Sequence, residues 1–310
     1  MEILVTGGAG FIGSHLCERL LEKEHHVFCM DNLLTGDKEN IRHLESDPNF
    51  KFILSDVIQP FNLDVEVIVH LASPASPVDY TRFQVETMLV NSLGTYNALE
   101  LASKTGARMI LASTSEVYGD PQVSPQPEGY FGHVNPVGPR SCYDESKRFA
   151  EALTYTYVHR HNVYATIVRI FNTFGPRMRK NDGRVIPNFI NQALEGKPLT
   201  IYGDGTQTRS FCYIDDLIDA LDMMIDAKDL AGEVINLGSE AEMTVLELAQ
   251  LIKRMTGSSS ELAFLPLPQD DPLQRRPDLS KAKDLLGWEP RISLEEGLSR
   301  VIEWFKQRKG

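Results

Sequence analysis

The chain opens with a strand that runs directly into a glycine-rich turn and a helix. Glu2–Thr6 is a short apolar run, TGGAGFIGSHL fills 6–16, and an amphipathic stretch continues to Glu22. Gly7, Gly10 and Gly13 are spaced GxxGxxG, with Phe11 and Ile12 inside the turn. Glycines there let the backbone approach a pyrophosphate, whose charge then rests on the helix N-terminus. The same spacing occurs in ordinary turns, so context decides its meaning. Here a strand precedes it, a helix follows, and Asp31-Asn32 ends the next apolar run, His26–Met30. An acid at that place can accept hydrogen bonds from adenosine ribose hydroxyls and would repel a 2′-phosphate. The expected cofactor is therefore NAD rather than NADP.

The same unit repeats along the first half. Lys51–Ser55, Val65–His70, Arg108–Ser113 and Tyr164–Ile170 read as further strands. Phe11–Glu22, Thr81–Lys104 and Tyr143–His161 read as helices between them. Strand–helix alternation predicts a parallel sheet covered on both faces, and right-handed crossovers make it doubly wound. After Asn172 the pattern changes, with a break at Gly175-Pro176-Arg177 and a turn signal at Asn181-Asp182-Gly183. Helices are expected at Ile186–Glu195, Asp215–Ile225, Val245–Met255 and Leu294–Lys306, and a proline-rich loop runs from Pro266 to Pro277. The expected fold is α/β: an NAD-binding Rossmann domain over 1–171 and a smaller C-terminal α/β substrate-binding lobe over 172–310, able to interleave with the sheet.

Composition narrows the function classes. A length of 310 residues suits two domains with a substantial core. A net charge of −12 argues against a nucleic-acid partner, which needs a basic stripe. No apolar run is long enough to span a membrane, and the first strand begins at the N-terminus, so neither a membrane anchor nor a signal peptide is expected. Cys17, Cys29, Cys142 and Cys212 form no CxxC pair, and His25 and His26 near Cys29 lack a second ligand pair. Reduced cysteines, a cytoplasmic location and no metal site are the expectation.

Further strand-end residues are candidate cofactor contacts. Thr35-Gly36 follows Asp31 and suits the adenosine half. Asp56-Val57 could meet the adenine amino group, and Leu71-Ala72-Ser73 should line the nicotinamide side. Each could also be a plain strand-end turn.

Tyr143 and Lys147 are four apart on a predicted helix and so share one face. A nearby ammonium favours the phenolate form of a tyrosine, which can take a proton from a sugar hydroxyl as hydride leaves. An exposed amphipathic turn would carry the same letters. Thr114, just past the fifth strand in STSEVYG (113–119), turns the reading toward chemistry, because strand C-termini face the ligand crevice. Thr114 can share the reacting hydroxyl with Tyr143.

The longer motifs give the chain its resemblance. HLASPASP (70–77), LASTSEVYGDP (111–121), GHVNPVGPRSCYDESKR (132–148), RIFNTFGPRM (169–178), NDGRVIPNFI (181–190), YGDGTQTRSFCYIDDL (202–217) and QDDPLQRRPDLSKAKDLLGWEP (269–290) join the glycine turn. With them the chain resembles the extended short-chain dehydrogenases/reductases, and within these the UDP-glucuronate decarboxylases. The resemblance implies C4 oxidation of UDP-glucuronate with Tyr143, Lys147 and Thr114, loss of CO₂ from the resulting β-keto acid, and re-reduction to UDP-xylose with NAD regenerated. It implies that Asn172, Arg209 and Arg275 hold the UDP diphosphate and that Tyr202 lies near the uridine. The motif selects Arg275 over Arg276, the expected solvated neighbour. Glu116 is a candidate for ordering water or the carboxylate near C5, or else an acid caging Lys147. Ser115 stands where related 4,6-dehydratases carry an aspartate for water elimination, which argues against a 6-deoxysugar product. Family lysines just before the position of Asn91 are absent from Val85–Val90. The resemblance also implies a homodimer built on Thr81–Lys104 and Tyr143–His161. A UDP-sugar 4-epimerase, a decarboxylase releasing the 4-keto-pentose, and a silent nucleotide sensor remain open alternatives.

Overall fold

A computed structural model describes residues 1–308. Its elements in chain order are β1 (Glu2–Thr6), α1 (Phe11–Glu22), β2 (His26–Asp31), β3 (Phe50–Leu54), β4 (Val67–His70), α2 (Pro77–Arg82), α3 (Gln84–Leu89), α4 (Thr95–Thr105), β5 (Arg108–Thr114), α5 (Ser141–His161) and β6 (Ala165–Ile170). There follow β7 (Thr173–Phe174), α6 (Val185–Glu195), β8 (Leu199–Tyr202), β9 (Thr208–Ser210), β10 (Cys212–Tyr213), α7 (Ile214–Asp226) and β11 (Val234–Leu237). The chain closes with β12 (Glu242–Thr244), α8 (Val245–Thr256), β13 (Leu262–Leu265), β14 (Gln274–Arg275), α9 (Ser280–Leu286) and α10 (Leu294–Gln307).

The main sheet has seven parallel strands in the order β11-β6-β5-β4-β1-β2-β3. Alternation along each strand supplies two apolar faces. Ile3, Val5, Val27, Cys29, Val67 and Val69 point into one core, with Leu16, Cys17 and Leu20 of α1 and Leu217 and Leu221 of α7. Leu4, Met30, Ile68, Met109 and Leu111 point into the other, with Leu99 and Ala102 of α4 and Ala150 and Tyr157 of α5. Both faces are buried, so the strands read as near-continuous hydrophobic runs. Each fully buried Leu or Ile contributes about 1.5–3 kcal/mol.

Strand order reverses between β1 and β4, which opens a crevice at their C-terminal ends. A smaller lobe, built from α6, α8, α10 and three short sheets, covers that edge. The sequence reading placed six of the seven strands. It did not find β11, whose Val-Ile-Asn-Leu run is short and carries a polar residue. Asn236 is fully buried there because Tyr118 donates to it at 2.8 Å.

The helix expected over Thr81–Lys104 is broken. Phe83 leaves helical geometry between α2 and α3, and a π-helical turn spans Val90–Gly94 before α4. Asn91 in that turn is buried and donates to Ser146 on α5 at 3.0 Å, a tertiary contact that periodicity cannot show. Asp56-Val57 follows just beyond the end of β3. Among the described residues no helix is long and apolar enough to cross a membrane.

Candidate active site

One continuous cleft of about 1390 Å³ lies between the C-terminal ends of the sheet and the lobe. Its floor is the glycine turn. Gly7 sits at φ 70°, and a Cβ there would come within 2.8 Å of the Ala72 backbone. A Cβ on Gly13 would lie 2.7 Å from Gly8 Cα and closer still to the Gly7 carbonyl. Only glycine permits this tight cradle at the start of α1, and Phe11 and Ile12 line it. Its shape and exposed helix N-terminus fit a dinucleotide pyrophosphate.

Asp31 ties the cradle to β2. Its carboxylate accepts from Ala9 N at 3.0 Å and from Leu33 N at 2.8 Å. Burial raises its pKa, and those two amides oppose the rise. Gly36 must be glycine because a Cβ would meet the Asp31 carboxylate at 2.8 Å. Asn32 donates to Asp56 at 2.9 Å, drawing the ends of β2 and β3 together. Thr35, Val57, Leu71, Ala72 and Ser73 complete this half of the wall. Every cofactor-contact candidate read from the sequence therefore lines the same cleft.

Tyr143 and Lys147 enter from the first two turns of α5. Tyr143 is buried, and its ring stacks on Tyr80 of α2 at 5.1 Å with planes 9° apart. Burial pushes its phenol up to about 12; the Thr114 hydroxyl and then Arg184 pull it back. The Lys147 ammonium, one helical turn beyond Tyr143, donates to Ala112 O at 2.7 Å and so rests against β5. Burial lowers Lys147 to about 8. His70 beside it is held neutral, at about 3, by burial and then by the Lys147 charge. Its Nδ1 meets Thr6 Oγ1 at 2.8 Å.

Glu116 faces the cleft next to Thr114, which accepts from Glu116 N at 3.2 Å. It cages arginines, not Lys147: its carboxylate pairs with Arg140 and with Arg275 Nη2 at 3.3 Å. Burial alone would raise its pKa, but Arg275, Arg140 and Arg209 outweigh it and hold it at about 2. Asp144 lies on the far side of Arg140, 3.7 Å from Nε. Burial, then Glu116, lifts it to about 7.

Asn172, Tyr202 and Arg209 line the lobe side of the cleft. Asn172 Nδ2 is buried without a partner among the described residues, a donor suited to a ligand acceptor. Arg209 donates to Thr208 O and to Asp271 at 3.0 Å. Arg275 is a correction. It does not line the cleft and is 1 % exposed. Its Nη1 donates to Ser115 O at 2.7 Å and its Nη2 to Gly119 O at 2.9 Å and to Glu116, so it braces the 115–119 turn, while its buried Nε has no partner among the described residues. Arg276 is half-buried rather than solvated, and its backbone N–H donates to Gln126 at 2.9 Å.

Sequence reasoning missed Tyr80, Arg140 and Arg184. Arg140 carried a usable signal, three residues before Tyr143 and so on its helical side. Tyr80 reaches the site from the short helix α2 and Arg184 from the N-terminal edge of α6, both brought there by tertiary packing, which leaves no local pattern.

The chain's residues 3–238 match the model of the NAD dependent epimerase/dehydratase family. UDP-glucuronic acid decarboxylase 1 of Danio rerio is 52% identical over 306 residues, covering 99% of this chain and 73% of that protein. UDP-glucuronic acid decarboxylase 3 of Arabidopsis thaliana is 50% identical over 309 residues, covering 99% and 90%. Among solved structures, a UDP-glucuronic acid 4-epimerase from Bacillus cereus, in complex with UDP-glucuronic acid and NAD, superposes with a TM-score of 0.90 at 34% identity, covering 99% of this chain and 100% of that one. With the family model spanning most of the chain and the glycine cradle, Tyr143, Lys147 and Thr114 converging on one cleft, the chain belongs to the NAD-dependent epimerase/dehydratase family, within the extended short-chain dehydrogenases/reductases.

Proposed function

We propose that this protein converts UDP-glucuronate to UDP-xylose and CO₂ with NAD as a resident cofactor. The observation that carries this reading is the cleft itself, which sets the glycine cradle, the Tyr143–Thr114 pair and the Arg140–Glu116 cluster along one continuous space. Bound NAD supplies a hydride acceptor at C4 of the sugar and later the matching donor. Tyr143 takes the C4 hydroxyl proton, and Thr114 holds the same oxygen. Lys147 stands one helical turn away, its charge easing loss of the phenolic proton. The 4-keto group makes the C5 carboxylate a β-keto acid. When CO₂ departs, the electron pair of the broken bond moves into an enolate whose oxygen Tyr143 and Thr114 hold. A proton then returns to C5, and Tyr143 returns its proton to the C4 oxygen.

In this reading residues 1–171 bind the cofactor and 172–310 the nucleotide sugar, with α7 and β11 completing the sheet layer. The unpartnered Asn172 amide, with Arg209, would face the diphosphate, and Tyr202 at the rim the uridine. Ser115 cannot serve as the acid of a dehydratase. We place the protein in the cytoplasm, where its four unpaired cysteines stay reduced. We infer a homodimer, because α3, α4 and α5 leave Val85, Met88, Tyr96, Phe149 and Tyr155 exposed, and two-fold contacts are the commonest assembly. A monomeric mass by light scattering at micromolar concentration would count against it.

The functional test feeds UDP-glucuronate to the enzyme and follows CO₂, NADH absorbance and nucleotide sugars by mass spectrometry. The expected outcome is CO₂ in step with UDP-xylose and no net NADH. NADH rising one-for-one with CO₂ would mean that the keto-pentose escapes. UDP-galacturonate without CO₂ would mean an epimerase, and no product at all a sensor.

A further inference from the structure

Behind the Tyr143–Lys147 pair lies a buried polar unit that the chemistry above does not use. Glu151 sits one helical turn beyond Lys147 on α5, on the same helix face. Its carboxylate accepts from Ser113 Oγ of β5 at 2.5 Å and from Arg169 of β6 through Nε at 2.9 Å and Nη2 at 2.7 Å. Arg169 Nη1 donates onward to the Tyr118 hydroxyl at 3.0 Å and to Glu128 O at 2.9 Å. The Glu151 and Arg169 side chains are only 13% and 12% exposed. Ser113 lies between Ala112, whose carbonyl accepts the Lys147 ammonium, and Thr114, which lines the cleft with Tyr143.

We infer that Glu151, held by Ser113 and Arg169, is a positioning residue for Lys147, keeping its buried ammonium charged and in register against β5. Two effects follow from the geometry. The Ser113 bond pins α5 to β5 at the residue next to Ala112, whose carbonyl orients Lys147. The carboxylate also supplies the charge that opposes desolvation. Burial lowers Lys147 to about 8, and Glu151 is the group that raises it. Of the groups on other elements, His70 on β4 is neutral and the Tyr143 phenol is protonated, while Arg169 on β6, paired with Glu151, offsets part of that carboxylate's charge.

The test reads Lys147 directly. Trace acetylation of ligand-free protein, followed by mass spectrometry across about pH 6 to 10, gives the midpoint at which the amine becomes reactive. Glu151→Gln should lower that midpoint by about one pH unit, since an opposite charge at such range shifts a pKa by that order. The alkaline limb of kcat should fall with it, and Glu151→Asp should restore most of the shift. A folded Glu151→Gln protein whose midpoint stays within about 0.2 unit of the parent overturns the inference, whatever its kcat. If that variant does not fold, Ser113→Ala unpins the carboxylate from β5 and should lower the midpoint by a few tenths of a unit, and an unmoved midpoint overturns the inference. The inference rests on Lys147 belonging to the reacting pair. Labelling needs no turnover, so an inactive parent would overturn the functional reading and still leave this one decided by the midpoint.

Discussion

Arg275→Ala should damage stability far more than affinity for UDP. The guanidinium is 1 % exposed and donates to Ser115 O at 2.7 Å, to Gly119 O at 2.9 Å and to Glu116 at 3.3 Å. Its removal strips two carbonyls of a buried turn of this donor, each costing about 1–3 kcal/mol. It also takes one of two paired cations from Glu116, leaving Arg140 alone. Breaking a buried pair from one side costs about 3–5 kcal/mol, and the terms overlap, so about 4 kcal/mol is the expected total. At roughly 2 °C per kcal/mol for a chain of this size, the melting temperature should fall by about 8 °C. Differential scanning fluorimetry measures that fall, and isothermal titration with UDP measures affinity, which should change less than about threefold, or under 0.7 kcal/mol. Arg275→Lys should recover little, because an ammonium cannot span three acceptors with the guanidinium's planar fork. A melting temperature within about 1 °C of the parent, with UDP binding weakened tenfold or more, would refute the bracing role and return Arg275 to the phosphate site.

Tyr143→Phe keeps the ring stacked on Tyr80 and removes only the hydroxyl, so kcat should fall by about 10²–10⁴-fold with UDP binding intact; a rate within about threefold of the parent removes Tyr143 from the mechanism. Gly13→Ala places a Cβ against the Gly7 carbonyl and Gly8 Cα, so the cradle must open, and NAD affinity should drop by at least about tenfold, read by cofactor content after gel filtration; retained stoichiometric NAD would contradict the cradle. Glu116 is held below its ordinary range, at about 2, by Arg275, Arg140 and Arg209 against the cost of burial. Its folded pKa lies below the unfolded value, so its contribution is complete above about pH 4.5 and disappears as pH falls toward about 2. Urea midpoints should therefore decline through that window in the parent and more shallowly in Glu116→Gln; equal slopes would sink the assignment.

The amino-acid sequence by itself determined the layer architecture and the cofactor half of the cleft. These features are local. Glycine spacing, the acid at the end of β2 and alternating strand and helix periods are written in consecutive residues, because backbone conformation and face burial depend on near neighbours. Tyr143, Lys147 and Thr114 were legible for the same reason, since helical spacing and a strand terminus place them. Tertiary structure alone decided the rest. The four-residue β11 joins the sheet because Asn236 finds Tyr118 across more than 100 residues, a bond that makes its burial affordable. The π-helical turn at Val90–Gly94 depends on α5. Arg209 and Arg275 looked equivalent as letters, yet one lines the cleft and the other is closed off behind Glu116. A charge's role follows from which acceptors and how much water surround it, and only the folded chain sets those.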